Sequence, residues 1–349
     1  MDYQKRIEQL SSSLTALNID GIFVTNETNV AYLSGFRGSD SMILLSRRKK
    51  IFITDSRYVE EAASSLKEFE IELVRKTTFQ TVAGLARRLR LKTIGYEPMN
   101  LPSGALSVLR KTAVGSDFVP VMNAVERLRQ IKDNNEIRRI KIAVGLTKKA
   151  IRASLRRSNG PGMTEKLMSD LIEIDFLKAG GRAAFGPIVA VNSNSSKPHA
   201  VPGKRLLNPC TVLMIDIGAQ VDRYNSDLTR TFLLGRIPRT ISRIYSIVEE
   251  AQRAAIRAIR PGVPASEIDL TARRRIYKNG FGKHFGHSLG HGVGLDVHEA
   301  PTVGKNNQHP LREGMVFTVE PAVYVPRLCG VRIEDMVVVT KKGCEVLSQ

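Results

Sequence analysis

No stretch of about 18 consecutive apolar residues occurs anywhere in the 349-residue chain, so the sequence contains no helix fit to span a bilayer. The N-terminal stretch MDYQKRIEQLSSSL has no apolar core of the signal-peptide kind. Cysteine is scarce: Cys210, Cys329 and Cys344 are odd in number and lack CxxC spacing, which excludes a disulfide scaffold. They read as free thiols in a reducing compartment, and a cytoplasmic location is expected. Histidine is scarce too, with six in all, yet His284, His287, His291 and His298 fall in or beside one stretch, GHSLGHGVGLDVHE (286–299). Imidazoles are the commonest metal ligands and acid–base groups near neutral pH. The interleaved glycines let a backbone approach a ligand closely.

The length suffices for two domains with sizeable cores, and the composition, 42% hydrophobic and 25% charged, is that of a globular protein. Acidic residues are too few to balance the basic ones, leaving a formal net charge of +19. The basic clusters at 47–50, 87–92, 156–157 and 273–275 are dispersed over both halves. Dispersion favours a solvated basic surface over a nucleic-acid site, and no specific nucleic-acid partner is expected. Such a field would help draw in anionic peptides.

Residues 3–18 carry Ile7, Leu10, Leu14 and Leu17 at helical spacing. Short apolar runs then alternate with helical patterns: GIFVTN, NVAYLSGFRGS, SMILLS, KIFITD, SRYVEEAASSL, IELVR, FQTVAGLARRLR and TIGYEP. This predicts an α/β domain over 1–123. Residues 125–158 turn helical, with Asp133 or Asn134 as a cap, and a second domain is expected over 124–349. Within it, segments starting at Pro161 and Pro261 share Pro-Gly, Lys178/Lys278, Gly180/Gly280, Phe185/Phe285 and Gly186/Gly286 at a constant offset. Each copy reads as turn, helix, glycine stop and strand, which suggests two related αβ halves facing each other across a site.

Two hairpin-like segments carry acidic residues among apolar ones. In MIDIGAQVDRYNSDLTRTF (214–232), a symmetric two- or four-residue loop would set Asp216 directly opposite Asp227. The plainer alternative is one turn aspartate and one surface aspartate. In MVFTVEPAVYV (315–325) and GVRIEDMVVV (330–339), Glu320 and Glu334 are symmetric about Arg327. A glutamate in an apolar strand is seldom buried unpaired, and a salt bridge to Arg332 is the structural alternative. Carboxylates brought this close need a proton or a cation to coexist. The set Asp216, Asp227, His291, Glu320 and Glu334 is rich in oxygen with one imidazole. It suits two divalent ions, Mn²⁺ first, with Co²⁺, Fe²⁺ or Zn²⁺ as alternatives. A metal-bridging hydroxide formed near neutral pH would attack a carbonyl, with the other histidines and Arg332 orienting the substrate.

At this point the chain resembles the pita-bread metallopeptidases, specifically the Xaa-Pro peptidases (aminopeptidase P and prolidase). The resemblance rests on IDIGAQVDRYNSDLTRTF, GHSLGHGVGLDVHE, GMVFTVEP, GVRIEDMVVVT and KPHAVP in the second half. In the first half it rests on YLSGFRGSD and ITDSRY. It implies a small creatinase-like α/β domain followed by a pita-bread catalytic domain, an α/β (α+β) chain that forms a homodimer. It also implies that Asp227 and Glu334 bridge the two ions and that Glu320 assists proton transfer. His298 would contact the scissile carbonyl, His199 and His287 would face substrate, and Tyr324 and Arg332 would be further active-site groups. His284 and His309 match nothing in the pattern. Ala322 stands where the family often has glycine. The activity implied is hydrolysis between an N-terminal residue and a following proline in peptide substrates, with a dipeptide-only prolidase as the alternative. A remote alternative is a non-catalytic pita-bread module that binds RNA or protein.

Overall fold

The computed structural model describes residues 1–208 and 211–349, so Cys210 lies outside the described residues. The chain forms two compact units, Met1–Arg129 and Gln130–Gln349. The division expected from sequence lay after residue 123, before the short terminal helix of the first unit.

The first unit runs α1 (Tyr3–Ala16), β1 (Gly21–Val24), α2 (Glu27–Ser34), β2 (Met42–Ser46), β3 (Lys50–Thr54), α3 (Val59–Ser65), β4 (Glu70–Leu73), α4 (Thr78–Arg88), β5 (Thr93–Tyr96), α5 (Ser103–Thr112), β6 (Asp117–Pro120) and α6 (Glu126–Arg129). Its mixed sheet has the order β4-β3-β2-β1-β5-β6. All four residues of β1 are buried, as a strand covered on both faces requires. Asn26 caps α2 with its side chain and Gly35 ends it at φ 79°, a left-handed turn that glycine takes without strain. The α5–β6 pair has no counterpart in the sequence reading. Only Leu109 of α5 and Phe118 of β6 are fully buried, too few to leave a periodic signal.

The second unit opens with α7 (Asn134–Arg157), whose capping box joins Asp133 and Glu136. It continues through α8 (Glu165–Lys178), β7 (Arg182–Ala183), β8 (Ile188–Val191), β9 (Val212–Ile217), β10 (Ala219–Val221), β11 (Tyr224–Asn225), β12 (Leu228–Leu233), α9 (Arg239–Ala258) and α10 (Ala265–Lys278). The remaining strands are β13 (Gly290–Gly292), β14 (Glu299–Val303), β15 (Val316–Val319), β16 (Ala322–Val325), β17 (Cys329–Arg332), β18 (Asp335–Val339) and β19 (Cys344–Val346). The main sheets are β12-β9-β8 and β14-β13-β15-β18-β19. Helices α9 and α10 close one core against the latter sheet, with Ile244, Val248, Ile268 and Ala272 meeting Phe317 and Val337.

The internal repeat is visible in three dimensions. Helices α8 and α10 each span 14 residues and start 100 positions apart. Gly162 and Gly262 precede them, and Gly180 and Gly280 follow them, all at positive φ. The copies part after the glycine stop: the first enters β7, the second a 3₁₀ turn over Gly282–His284.

The two long C-terminal strands expected from sequence are each broken. The chain leaves β15 at Glu320–Pro321 and β17 at Ile333–Glu334. Pro321 has no N–H with which to continue a ladder, so the hairpin divides between two sheets where its glutamates sit. Close backbone contact holds the outer part: a Cβ on Gly330 would lie 1.9 Å from the Ser195 carbonyl oxygen. Gly330→Ala is therefore expected to destabilise the fold by more than about 2 kcal/mol in denaturant unfolding. Gly186→Ala, at a position with nothing within 4 Å of the added Cβ, is the matched control with a small effect.

Candidate metal centre

Asp216 lies in β9 and Asp227 immediately precedes β12. They are not opposed as expected. Asp216 pairs with Thr229, because the loop between β10 and β11 is the two-residue Asp222–Arg223 turn. Both turn residues have positive φ, 49° and 72°, the conformation that matches strand twist in tight hairpins. That loop moves the register by two positions, which keeps residues on the same face. The chain between the ladders is pinched at Gly218, where a Cβ would meet Ser226 O at 2.0 Å.

In the C-terminal hairpin, Val319 pairs with Asp335 and Ala322 with Arg332. Glu320 and Glu334 thus take equivalent places in the gap between the two ladders. Their backbones turn outward to other segments: Glu334 N–H donates to Thr229 O in β12 at 3.2 Å, and Glu320 N–H to Leu289 O, just before β13, at 2.8 Å. His291 is the middle residue of β13.

These elements bring the five residues together. Donor atoms of Asp216, Asp227 and Glu334 lie within 4.8 Å of one another, as do those of His291, Glu320 and Glu334. A third group joins Asp227, His291 and His298, so Asp227, His291 and Glu334 each belong to two groups. His291 Nε2 is 3.3 Å from Glu320 Oε1 and 3.6 Å from Asp227 Oδ2. Thr229 Oγ1 donates to Glu334 Oε2 at 2.6 Å.

The electrostatics show how costly this crowding is. Burial, with the charges of Glu320 and Asp216, pushes the Glu334 carboxyl up to about 8. Burial and the Glu334 charge hold Asp227 well above the usual carboxylate range. Asp216 is also raised by burial, with Arg332 opposing the rise. Burial acts upward on Glu320 as well, but the hydrogen bond and charge of His291, with the charges of His287 and Arg332, together outweigh it and its pKa falls. One oxygen of this buried set, Asp216 Oδ1, has no hydrogen-bond partner. An oxygen-rich, multiply anionic pocket with an unsatisfied buried oxygen fits divalent cations.

Arg332 does not take a glutamate partner. Its guanidinium pairs with Asp216 and donates to the Tyr324 hydroxyl, and its Nε donates to Thr229 Oγ1 at 2.9 Å. Burial pushes Tyr324 up to about 12, so the hydroxyl that accepts from Arg332 stays neutral. A cavity of about 1290 Å³ opens over the cluster, and His199, His287, His298, Tyr324 and Arg332 all line it. His287 Nε2 is buried without a partner, and burial lowers its pKa. The His298 ring stands edge-on to His291 at 4.2 Å, and burial followed by the His291 charge lowers its pKa. His284, given no role from sequence, also lines the cavity, with Nδ1 3.0 Å from Tyr324 O. Thr229 was missed altogether. Its signal was its place two residues after Asp227 on the same strand face.

A crowded carboxylate–imidazole cluster at the base of a cleft between two αβ halves defines a metal-dependent hydrolase of the pita-bread type. Residues 138–341, more than half the chain, match the model of metallopeptidase family M24. Residues 6–131 match the creatinase/prolidase N-terminal domain. The chain is 32% identical to an Xaa-Pro dipeptidase of Pyrococcus horikoshii, over 99% of this chain and 97% of the relative. Among solved structures, it superposes on an Xaa-Pro dipeptidase from Bacillus anthracis with TM-score 0.95 and 35% identity, covering 100% of this chain and 98% of that one. An X-Pro aminopeptidase from Thermotoga maritima gives TM-score 0.88 and 34% identity, covering 97% of each. The chain belongs to metallopeptidase family M24, with a creatinase-like domain preceding a pita-bread domain.

In the metal-free protein, a Glu334 pKa near 8 against roughly 4.3 in the unfolded chain means that the folded state holds more protons between those values. This contribution to stability is full below the unfolded pKa and is lost as pH rises through the folded one. A divalent ion takes over the role of those protons. The gain in Tm on adding Mn²⁺ to chelator-treated protein should therefore be larger at pH 8 than at pH 5. A gain that is flat or shrinks with pH in thermal melts counts against this cluster as the metal site.

Proposed function

We propose that the chain hydrolyses the peptide bond between an N-terminal residue and a following proline. The supporting observation is the buried cluster of four carboxylates and His291 at the base of the cleft, in a chain similar end to end to Xaa-Pro peptidases. Asp216, Asp227, His291, Glu320 and Glu334 would hold two divalent ions, Mn²⁺ by preference, with Asp227 and Glu334 shared between them. Such ions supply Lewis acidity and make a water acidic enough to attack near neutral pH.

The rest of the chemistry belongs to side chains. Glu320, the one carboxylate of the four whose pKa is lowered, accepts a proton from the attacking water and delivers it to the departing proline nitrogen. That nitrogen is a tertiary amide without N–H and leaves only when protonated. His298 faces the scissile carbonyl, and His287 and His199, which line the same cavity, face the substrate beside it. Arg332, bound to Asp216 and Tyr324, fixes those two side chains at the cavity wall.

The aminopeptidase reading rests on the cavity, which exceeds the roughly 300–1,000 Å³ of ordinary small-ligand pockets and leaves room beyond a dipeptide. The prolidase reading is favoured by the names of the Bacillus anthracis and Pyrococcus horikoshii proteins. A cytoplasmic setting agrees with the unpaired Cys329 and Cys344, and with no described helix being long and apolar enough to cross a membrane. A homodimer belongs to the same reading by family resemblance. The complete five-residue set argues against a non-catalytic RNA- or protein-binding module.

Products from Xaa-Pro and Xaa-Pro-Yaa peptides, measured with added Mn²⁺, separate the two peptidase readings: an aminopeptidase cleaves both, a prolidase only the first. Glu320→Ala should lower kcat/KM by at least about 100-fold while the far-UV spectrum is unchanged. Full activity in that variant would sink the assignment.

A further inference from the structure

We propose that the buried Lys132–Glu299 ion pair is a positioning device that sets the orientation of His298 for catalysis; the catalytic part rests on the function proposed above. Lys132 lies just before α7, far in sequence from every active-site segment. Its Nζ is 2.7 Å from Glu299 Oε1, with the two side chains only 1% and 6% exposed. Neither residue belongs to the metal cluster or lines the cavity.

The argument begins with His298 itself. Among the described residues no hydrogen bond holds its imidazole, and its one close ring contact is with His291. Its side chain is exposed, so where the ring can reach depends on where the backbone carries its Cα. That backbone is the loop from Gly294 to Glu299, and it is clamped on two sides. On one side, buried Asn225 reaches across from β11. Its Nδ2 donates to Gly294 O at 3.1 Å and Leu295 O at 2.9 Å, and its N–H donates to Gly294 O at 2.8 Å. On the other side stands the Glu299 carboxylate, one residue after His298. Its Oε2 accepts the Asp296 N–H at 3.4 Å, and a Cβ on Gly294 would lie 2.5 Å from its Oε1.

Lys132 holds that carboxylate in place and is itself anchored. Its N–H donates to Gly314 O at 2.9 Å, and neighbouring Ile131 forms a bridge with Met315 at the head of β15. The ion pair therefore ties the loop of His298 to the strand that leads to Glu320. A buried ion pair is a poor way to add stability, because desolvation opposes the Coulomb gain. Its use is to select one geometry, and here the geometry selected is that of the loop carrying an otherwise untethered imidazole.

The test uses the full chain labelled with ¹⁵N-histidine. With only six histidines, the ring signals can be assigned by single replacements. Lys132→Met alone leaves a buried carboxylate unpaired and can unfold, so the deciding variant is the pair Lys132→Met with Glu299→Gln, which removes both charges at similar volume. In the folded paired variant the His298 ring signals should shift or broaden, while those of exposed His309 stay put. With an Xaa-Pro substrate, kcat should fall on the order of 10- to 100-fold, with KM unchanged within about threefold. Adding His298→Ala to the paired variant should then cost little more. His298 signals identical to wild type, or kcat losses that multiply, would overturn the proposal. If the wild-type protein cleaves no proline peptide, the functional reading fails, and the ring signals still decide whether the pair positions His298.

Discussion

Four carboxylates meet in one buried pocket where, among the described residues, a single guanidinium, that of Arg332, touches only Asp216 of the four. Burial and mutual repulsion raise three of the four, Asp216, Asp227 and Glu334. Glu320 alone is held down, by the hydrogen bond and charge of His291 together with the charges of His287 and Arg332. A chain spends stability in this way only if something else collects on the crowding, and divalent cations do so. Much of the second unit serves to impose it. Helices α9 and α10 back the sheet that carries His291 and the glutamates. The glycine contacts at Gly218, Gly290 and Gly330 bring backbones closer than any side chain permits. The broken strands release Glu320 and Glu334 from ladder geometry so that both point into one pocket.

The repeat explains how the two walls of the cleft are held. Helix α8 of the first copy braces the chain through Ser169, whose hydroxyl donates to Pro187 O at 3.2 Å. In the second copy the equivalent position is Asp269, which accepts the Leu289 N–H at 3.0 Å and pairs with Arg273. Arg273 in turn donates to Phe285 O and His287 O. A neutral brace in one half has become an ionic one in the other, beside the segment that presents His287 and His291. The first copy holds its own loop differently. Buried Glu165 accepts from Val191 N–H, Gly203 N–H and Asn194 Nδ2, fixing both ends of the segment that carries His199.

The departures from the sequence reading have local and remote causes. The hairpin of Asp216 and Asp227 was legible, but its register turned on whether Asp222–Arg223 accepts two positive φ angles, and sterics alone makes that a poor guess for an arginine. The glutamate hairpin was placed correctly about Arg327; Pro321 marks the break in its first strand, whereas the break in the second goes with the contact of Glu334 to Thr229, 105 residues earlier. Arg332 looked like a partner for a neighbouring glutamate and instead crosses to Asp216. Helix α5 and strand β6 bury too little to write a period into the sequence.

By itself the sequence determined the family, the two-domain order, the repeat and the identity of the five clustered residues. Those follow from local pattern: residue type, spacing and strand or helix period act over a few positions at a time. Only the tertiary structure decided which oxygen is left unpaired, which carboxylate is depressed while its neighbours are raised, and which histidines share the cleft. Those outcomes depend on burial and on distances of a few ångströms between segments far apart in the chain, and neither is encoded in any one stretch. The Lys132–Glu299 pair belongs wholly to the second class. Each residue is unremarked in its own segment, and its meaning lies in the partner 167 positions away.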